Sequence, residues 1–389
     1  MSQNTDFIPY AKPNLGPEEE EAVVSVLRSG WLTTGSVTKA FEEEFASFVG
    51  VESALAVNSS TSGLHLALEA LGVGPGDKVV TTPYTFVSTA AVARHLGAEV
   101  VFCDIAAEDY NIDPGKLETV LAREKGVKAV LPVHIGGNPC RMDEILGIAD
   151  RHGAAVVEDA AHAFPSRLEK GYAGTLGDIG VYSFYANKTM TTGEGGMIVS
   201  RDPALRKRMA LMRSHGFDRD AWDRYTSTKP AWYYDVVEAG YKYNLPDILA
   251  AVGREQLRKA PRFLEERRAI AARYFEAFAG EAAIQLPPDH PAHSWHVFAI
   301  RLAPGALRIG RDEFIQKLAA RGIGTSVHFI PLHTFSYWSE RYGLEPGDFP
   351  EAWDKFSRSI SIPIWHGMSP AQQARVIEAV LATVAENRV

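Results

Sequence analysis

The feature that most constrains this chain is a repeated two-part unit. Short apolar runs at 54–57, 78–81, 99–103, 127–132 and 154–157 are each followed by residues with helical spacing of apolar side chains. Turn signals separate the units, Gly74-Pro75-Gly76-Asp77 being the clearest. Five strand–helix units in succession predict an α/β fold: a mostly parallel sheet with helices on both faces. In that architecture ligands bind beyond the carboxyl ends of the strands. Polar residues at the ends of the apolar runs are therefore the first candidates for chemistry.

The flanks read differently. Pro17 suits the first turn of a helix, Glu18 to Glu21 suit its N-terminal half, and Gly30 suits its end. A second helix is expected at 38–48, after the loop Trp31-Leu32-Thr33-Thr34-Gly35. Beyond Ser200 a long Arg- and Glu-rich helix is expected at 249–278. A strand at 295–302, a helix at 311–321 and a closing helix at 370–385 follow, with Pro287-Pro288 and Pro291 marking the junction. The expected organisation is an N-terminal segment and large α/β domain over 1–248, a linking helix over 249–280, and a small C-terminal α+β domain over 281–389.

Composition removes several functional classes. The formal charge of −8 offers no basic surface for a nucleic acid. The local clusters Arg206-Lys207-Arg208 and Arg267-Arg268 have acidic or apolar neighbours and read as solvated helix faces. Cys103 and Cys140 are too few for a disulfide framework, and the scattered histidines lack metal-ligand spacing. No segment approaches the ~18 apolar residues that span a bilayer, and Met1 to Pro13 lacks the pattern of a secretory leader. A cytoplasmic protein without membrane or metal is expected.

Three stretches carry the candidate chemistry. In Asn58-Ser59-Ser60-Thr61-Ser62-Gly63 an apolar strand gives way to hydroxyl residues and a helix beginning near Ser62. That is a natural anion site, although the same residues also serve as an ordinary helix cap. In Glu158-Asp159-Ala160-Ala161-His162 a buried-type strand ends in two carboxylates, followed by a histidine. In Tyr182-Ser183-Phe184-Tyr185-Ala186-Asn187-Lys188 an aromatic strand ends near a lysine, ahead of the glycine-rich turn Thr192-Gly193-Glu194-Gly195-Gly196.

Taken singly, each has a bland explanation as a cap, a packed histidine or a solvated lysine. In this order they match one requirement. Pyridoxal 5′-phosphate (PLP) needs an amine for a Schiff base, a carboxylate beside its ring nitrogen and an anion site for its phosphate. Lys188, Asp159 and the Thr61-Ser62 helix start would supply them. A hydrogen bond to a charged group is worth about 1.5–3 kcal/mol. At about 1.36 kcal/mol per pK unit, Asp159 would raise the ring nitrogen's pKa by roughly one to two units.

With these residues the chain resembles the sugar-nucleotide aminotransferases of the DegT/DnrJ/StrS type, within the fold type I PLP enzymes. The likeness runs from Gly30-Trp31-Leu32-Thr33-Thr34-Gly35 to Pro363-Ile364-Trp365-His366-Gly367-Met368. Between them it takes in Pro83-Tyr84-Thr85-Phe86-Val87-Ser88-Thr89, Gly240-Tyr241-Lys242-Tyr243-Asn244-Leu245 and His328-Phe329-Ile330-Pro331-Leu332-His333. The resemblance implies a seven-stranded sheet, Phe86 stacked on the pyridine ring, and Ser183 beside Thr61 and Ser62 at the phosphate. It implies His162 near the ring face or 3′-oxygen, where many members have Gln. It also implies a homodimer in which Asn244 reaches the phosphate of the neighbouring subunit's site.

The Glu-Asp-Ala-Ala-His version is similar to the branch that aminates UDP-linked 4-keto sugars. Relatives with His at the Lys188 position are dehydratases, so Lys188 implies transamination. Ser60 replaces a common Gly, and Gly63 a common Ala. Trp31, Thr33, His328 and His333 are candidates for sugar contact, though packing explains each as well. Arg213, Arg219 and Arg254 are candidates for the donor carboxylate.

The reaction expected is transfer of an amino group from L-glutamate, through pyridoxamine phosphate, to a keto sugar, with Lys188 moving the protons. Amination at C3, amination of a keto-cyclitol, and a non-catalytic sensor on the same fold are the alternatives.

Overall fold

The computed structural model describes residues 7–219, 230 and 232–389. Helices α1 (Pro17–Ser29) and α2 (Ser36–Val49) precede the strand–helix alternation. Gly30 and Gly50 end them in the left-handed conformation that an L side chain rarely adopts. The alternation then runs β1 (Ala54–Val57), α3 (Ser60–Ala70), β2 (Lys78–Thr81), α4 (Val87–His95), β3 (Glu99–Phe102), α5 (Pro114–Arg123), β4 (Val127–Leu131), α6 (Met142–His152) and β5 (Ala155–Asp159). After a short ribbon, β6 (Arg167–Leu168) with β7 (Gly171–Tyr172), come β8 (Ile179–Ser183), β9 (Gly196–Ser200) and α7 (Pro203–Arg213).

The main sheet has seven strands in the order β1-β9-β8-β5-β4-β2-β3. Strands β3, β2, β4, β5 and β8 are parallel, whereas β9 pairs antiparallel with both β8 and β1. The single reversal arises because β8 and β9 form a hairpin with a long connection, 184–195. All six other strands end at the same edge of the sheet, as the alternation required. Strands β5, β8 and β9 are buried along nearly their whole length, as expected of a sheet covered on both faces.

Gly63 has a packing reason. A Cβ there would lie 2.6 Å from Val181 Cγ1 and 3.3 Å from Ile198, so α3 approaches β8 and β9 too closely for alanine.

The 32-residue helix α8 (Asp247–Phe278) joins two cores. Its first half contributes Ala250, Leu257 and Ala260 to the cluster around Phe41, Phe45 and Tyr182. Its second half contributes Ile270, Tyr274 and Phe278 to a separate cluster. That cluster covers the antiparallel sheet of β10 (Ile284–Gln285), β11 (Phe298–Leu302) and β12 (Ser359–Ile362). Helices α9 (Arg311–Ala320) and α12 (Pro370–Asn387) pack on it, and α10 (Ser336–Tyr342) and α11 (Pro350–Arg358) lie between them in sequence.

The structure departs from the sequence pattern at two places. The strand expected at 295–302 begins only at Phe298, because Trp295 sits at φ +53°. Arg267 is not a solvated helix residue. It is 1% exposed and donates to the carbonyls of Trp295 (2.9 Å) and Ile364 (3.1 Å). Its position on α8 faces the small sheet, which a one-dimensional charge pattern does not reveal.

Candidate active site

A cavity of about 440 Å³ lies at the shared carboxyl edge of the main sheet. Most of the strands that end there deliver part of its wall. The turn after β1 gives Ser59, Ser60 and Thr61; the turn after β2 gives Thr85, Phe86 and Ser88. The end of β5 gives Asp159, Ala161 and His162, and the β8–β9 connection gives Ser183, Tyr185, Asn187, Lys188 and Glu194. His296, His328 and Phe329 close it from the side of the small sheet.

Lys188 stands on a tight local turn, its N–H bonded to the Tyr185 carbonyl at 2.9 Å. Burial brings its amine down from 10.5 to about 8, against the opposing pull of the Asp159 charge. A lysine so shifted is partly neutral near physiological pH and fit to attack a carbonyl. Burial pushes the Asp159 carboxyl up from its ordinary value of 3.8. The Thr89 hydroxyl, the Ala161 N–H and the Lys188 charge oppose that rise. Thr89 Oγ1 lies 2.7 Å from Oδ2, and the Ala161 nitrogen 3.1 Å from Oδ1.

Three histidines form one wall. The rings of His162 and His296 are 4.5 Å apart, and those of His162 and His328 are 6.3 Å apart. Burial, then the nearby Lys188 charge, depresses all three, His328 to about 3. They are neutral at physiological pH. The Gly136 N–H donates to His162 Nδ1 at 3.2 Å, which assigns the ring proton to Nε2. Phe329 stacks on His162 at 5.6 Å with 24° between planes.

The structure thus gathers Thr61, Phe86, Asp159, His162, Ser183, Lys188 and His328 around one cavity. Ser62 lies behind it. Its hydroxyl donates to Asn58 Oδ1 at 2.6 Å, and its N–H donates to Ser59 Oγ at 3.1 Å, so it orders the first turn of α3. Asn244 and Thr33 line a second cavity of about 370 Å³ instead, with Arg213. There the Asn244 amide donates to Thr34 Oγ1 at 2.6 Å, and the Trp31 indole donates to the Thr34 carbonyl at 3.3 Å. His333 is wholly buried, its Nε2 against the Pro346 carbonyl at 3.3 Å and its ring packed on Phe349. It does not reach the cavity.

None of the three candidate arginines lines the cavity. Arg213 pairs with Glu42 and the Ala56 carbonyl, Arg254 with Glu44, and Arg219 donates to the Tyr233 carbonyl. The sequence reading missed His296, Thr89 and Phe329. Thr89 and Phe329 lie in stretches that carry the family resemblance, but nothing local marks either as a site residue.

The donor set fits PLP. It offers a depressed lysine amine, a buried carboxyl at the end of β5, and a hydroxyl-rich helix start whose first-turn N–H groups have no intrahelical acceptor. The sequence model of the DegT/DnrJ/EryC1/StrS aminotransferase family matches residues 13–381.

The chain belongs to that family.

This family member is therefore a PLP-dependent sugar aminotransferase. Bacillus subtilis SpsC, a spore coat polysaccharide biosynthesis protein, is 42% identical to it over 383 residues, covering 98% of each chain. Streptococcus pneumoniae Spr1654 in its PMP form superposes with a TM-score of 0.91 at 30% identity, covering 97% of this chain and 99% of that one. Its PLP form gives a TM-score of 0.90 at 29% identity, covering 98% and 99%. Helicobacter pylori PseC, an aminotransferase involved in pseudoaminic acid biosynthesis, gives 0.90 at 28% identity, covering 98% and 100%. Among the described residues, no helix is long and apolar enough to cross a membrane, and no group of three His, Cys, Asp or Glu is placed to hold a metal.

Proposed function

We propose that this aminotransferase moves the amino group of L-glutamate to the keto carbon of a nucleotide-linked 4-keto sugar, with UDP as the nucleotide. The products are 2-oxoglutarate and an amino sugar. The observation that carries this is the Lys188 amine, brought to about 8 by burial and sharing one cavity with the Asp159 carboxylate. The sugar class is supported by the polysaccharide role of SpsC and by the place of PseC in pseudoaminic acid biosynthesis. The 4-keto, UDP-linked form is supported by the Glu158-Asp159-Ala160-Ala161-His162 sequence.

Bound PLP supplies an aldehyde that condenses with amines and a ring that takes up electron density. Lys188 would hold that group through its amine, and the same amine, free once the donor is bound, would take the proton from the donor Cα and, in the second half-reaction, deliver one to the sugar carbon. Asp159 would accept from the ring nitrogen and keep it protonated. Thr61, Ser183 and the first turn of α3, ordered by Ser62, would hold the phosphate. Phe86 would pack on the ring, and the Nε2–H of His162 would serve the ring face or 3′-oxygen.

On the same reading the protein is a cytoplasmic homodimer. Asn244 of the partner subunit completes the phosphate site, which accounts for Asn244 lying outside its own chain's cavity. Trp31 and Thr33 would meet the sugar from across the same interface, and His328 from within the cavity. The boundaries at 248 and 280 divide a large PLP-binding unit from a small C-terminal one.

Mass spectrometry of products from UDP-, dTDP- and GDP-linked 4-keto sugars with glutamate tests the reading. An amino sugar formed fastest from the UDP substrate, with 2-oxoglutarate in equal amount, is expected. Amination of a 3-keto sugar or a keto-cyclitol in preference to every 4-keto substrate overturns it.

A further inference from the structure

Asp159 is 4% exposed, and burial favours its neutral form. A neutral carboxyl cannot serve as the acceptor that a protonated ring nitrogen needs, so something must hold it ionised. Oδ1 accepts from the Ala161 N–H and Oδ2 from the Thr89 hydroxyl, with the Lys188 charge adding to them.

Counting protons fixes the direction of the chain behind Thr89. A threonine hydroxyl has one proton, and an ionised carboxylate only accepts. The Thr89 proton therefore lies toward Asp159. The 2.9 Å contact between Thr85 Oγ1 and Thr89 Oγ1 must then run from Thr85 to Thr89. Thr85 is 2% exposed and Thr89 fully buried, so solvent offers neither hydroxyl an alternative. Both sit on the turn that opens α4: Phe86 is its N-cap, and the Thr89 N–H bonds the Phe86 carbonyl at 3.3 Å. One turn thus presents an aromatic ring to the cavity and a hydroxyl to the carboxylate on its floor.

We propose that Thr89, oriented by Thr85, is a positioning residue that keeps Asp159 ionised and aimed at the cofactor ring, and ties that aim to the placement of Phe86. The inference rests on the role given to Asp159 above.

The test uses the full-length protein loaded with PLP and reads visible absorbance against pH, alongside PLP affinity. A positive ring nitrogen lowers the midpoint of the absorbance titration at the Lys188 imine, so weakening Asp159 raises that midpoint. The isosteric variant Thr89→Val should move the midpoint upward and raise the PLP Kd by about tenfold, with the thermal midpoint unchanged. Thr89→Ser should restore both values. Thr85→Val should give a smaller upward shift, and it carries the test should Thr89→Val not fold.

A Thr89→Val protein with the wild-type midpoint and Kd, while Asp159→Asn moves both, overturns the relay and leaves Asp159 standing. If Asp159→Asn also leaves both unchanged, the role of Asp159 fails, and the relay with it.

Discussion

Glu158 and Asp159 are adjacent carboxylates at the end of one strand, yet they live in opposite conditions. Successive side chains of a strand point to opposite faces, so Glu158 turns away from the cavity and Asp159 into it. Glu158 has no exposure and four donors. These are His134 Nε2 at 2.9 Å, and the N–H groups of Gly174 (2.7 Å), Leu176 (2.7 Å) and Gly177 (2.6 Å). His134 Nδ1 accepts from the Cys140 N–H at 3.0 Å, which leaves the ring proton on Nε2 for Glu158. These donors outweigh burial and hold the Glu158 carboxyl below its ordinary value of 4.5. Asp159 has two donors, and there burial wins. The difference separates a carboxylate that organises the fold from one kept short of partners for a ligand to complete.

The largest effect lies on the cavity side. Lys188→Ala should lower the rate of amino-group transfer by about 10²–10⁴-fold, the usual worth of a positioned acid–base group. Steady-state assays with glutamate and a keto sugar measure it, and a wild-type rate would remove Lys188 from the reaction. Asp159→Asn should cost about 10²–10³-fold, as loss of a preorganised electrostatic partner does. The folding stability of the cofactor-free protein should stay level or rise, because an under-partnered buried charge is gone. Glu158→Gln should do the reverse. Breaking a buried, fully paired carboxylate costs about 3–5 kcal/mol, read by urea denaturation, while the turnover of the molecules that still fold stays near wild type. If Glu158→Gln lost turnover at full stability, the division between the two carboxylates would be wrong.

Most of the main sheet was legible because each strand is a short apolar run bounded by turn residues. The runs at 54–57 and 78–81 match β1 and β2 residue for residue, and the others fall within a residue or two. The reversal of β9 was not legible, since nothing local distinguishes an antiparallel neighbour. Asp159, Thr61 and Lys188 were reached from their places at or just beyond strand ends together with the needs of PLP, and Ser183 from the family resemblance. Thr89 and His296 were not reached. Thr89 looks like any helical threonine until Asp159 is seen beneath it, and His296 reaches the cavity by a loop from a distant part of the chain. His333 failed as a candidate for the opposite reason: a motif residue can be conspicuous in sequence because it packs.

The finest distinction between the two carboxylates is the sign of their pH dependence. Glu158 has a depressed folded pKa, so its stabilisation is present above 4.5 and is lost as pH falls through the folded value. Asp159 has a raised folded pKa, so its contribution is present below 3.8 and is lost as pH rises through the folded value. In cofactor-free protein, Glu158→Gln should therefore flatten the acid limb of the stability curve. Asp159→Asn should gain on wild type as pH climbs above 3.8. The two variants should depart from wild type at opposite ends of the pH range, by about 1.36 kcal/mol for every pK unit that separates the folded from the unfolded value. Urea titrations at stepped pH measure both slopes. Slopes that changed in the same direction would mean that the two side chains share one electrostatic environment, and that the strand does not divide a structural face from a chemical one.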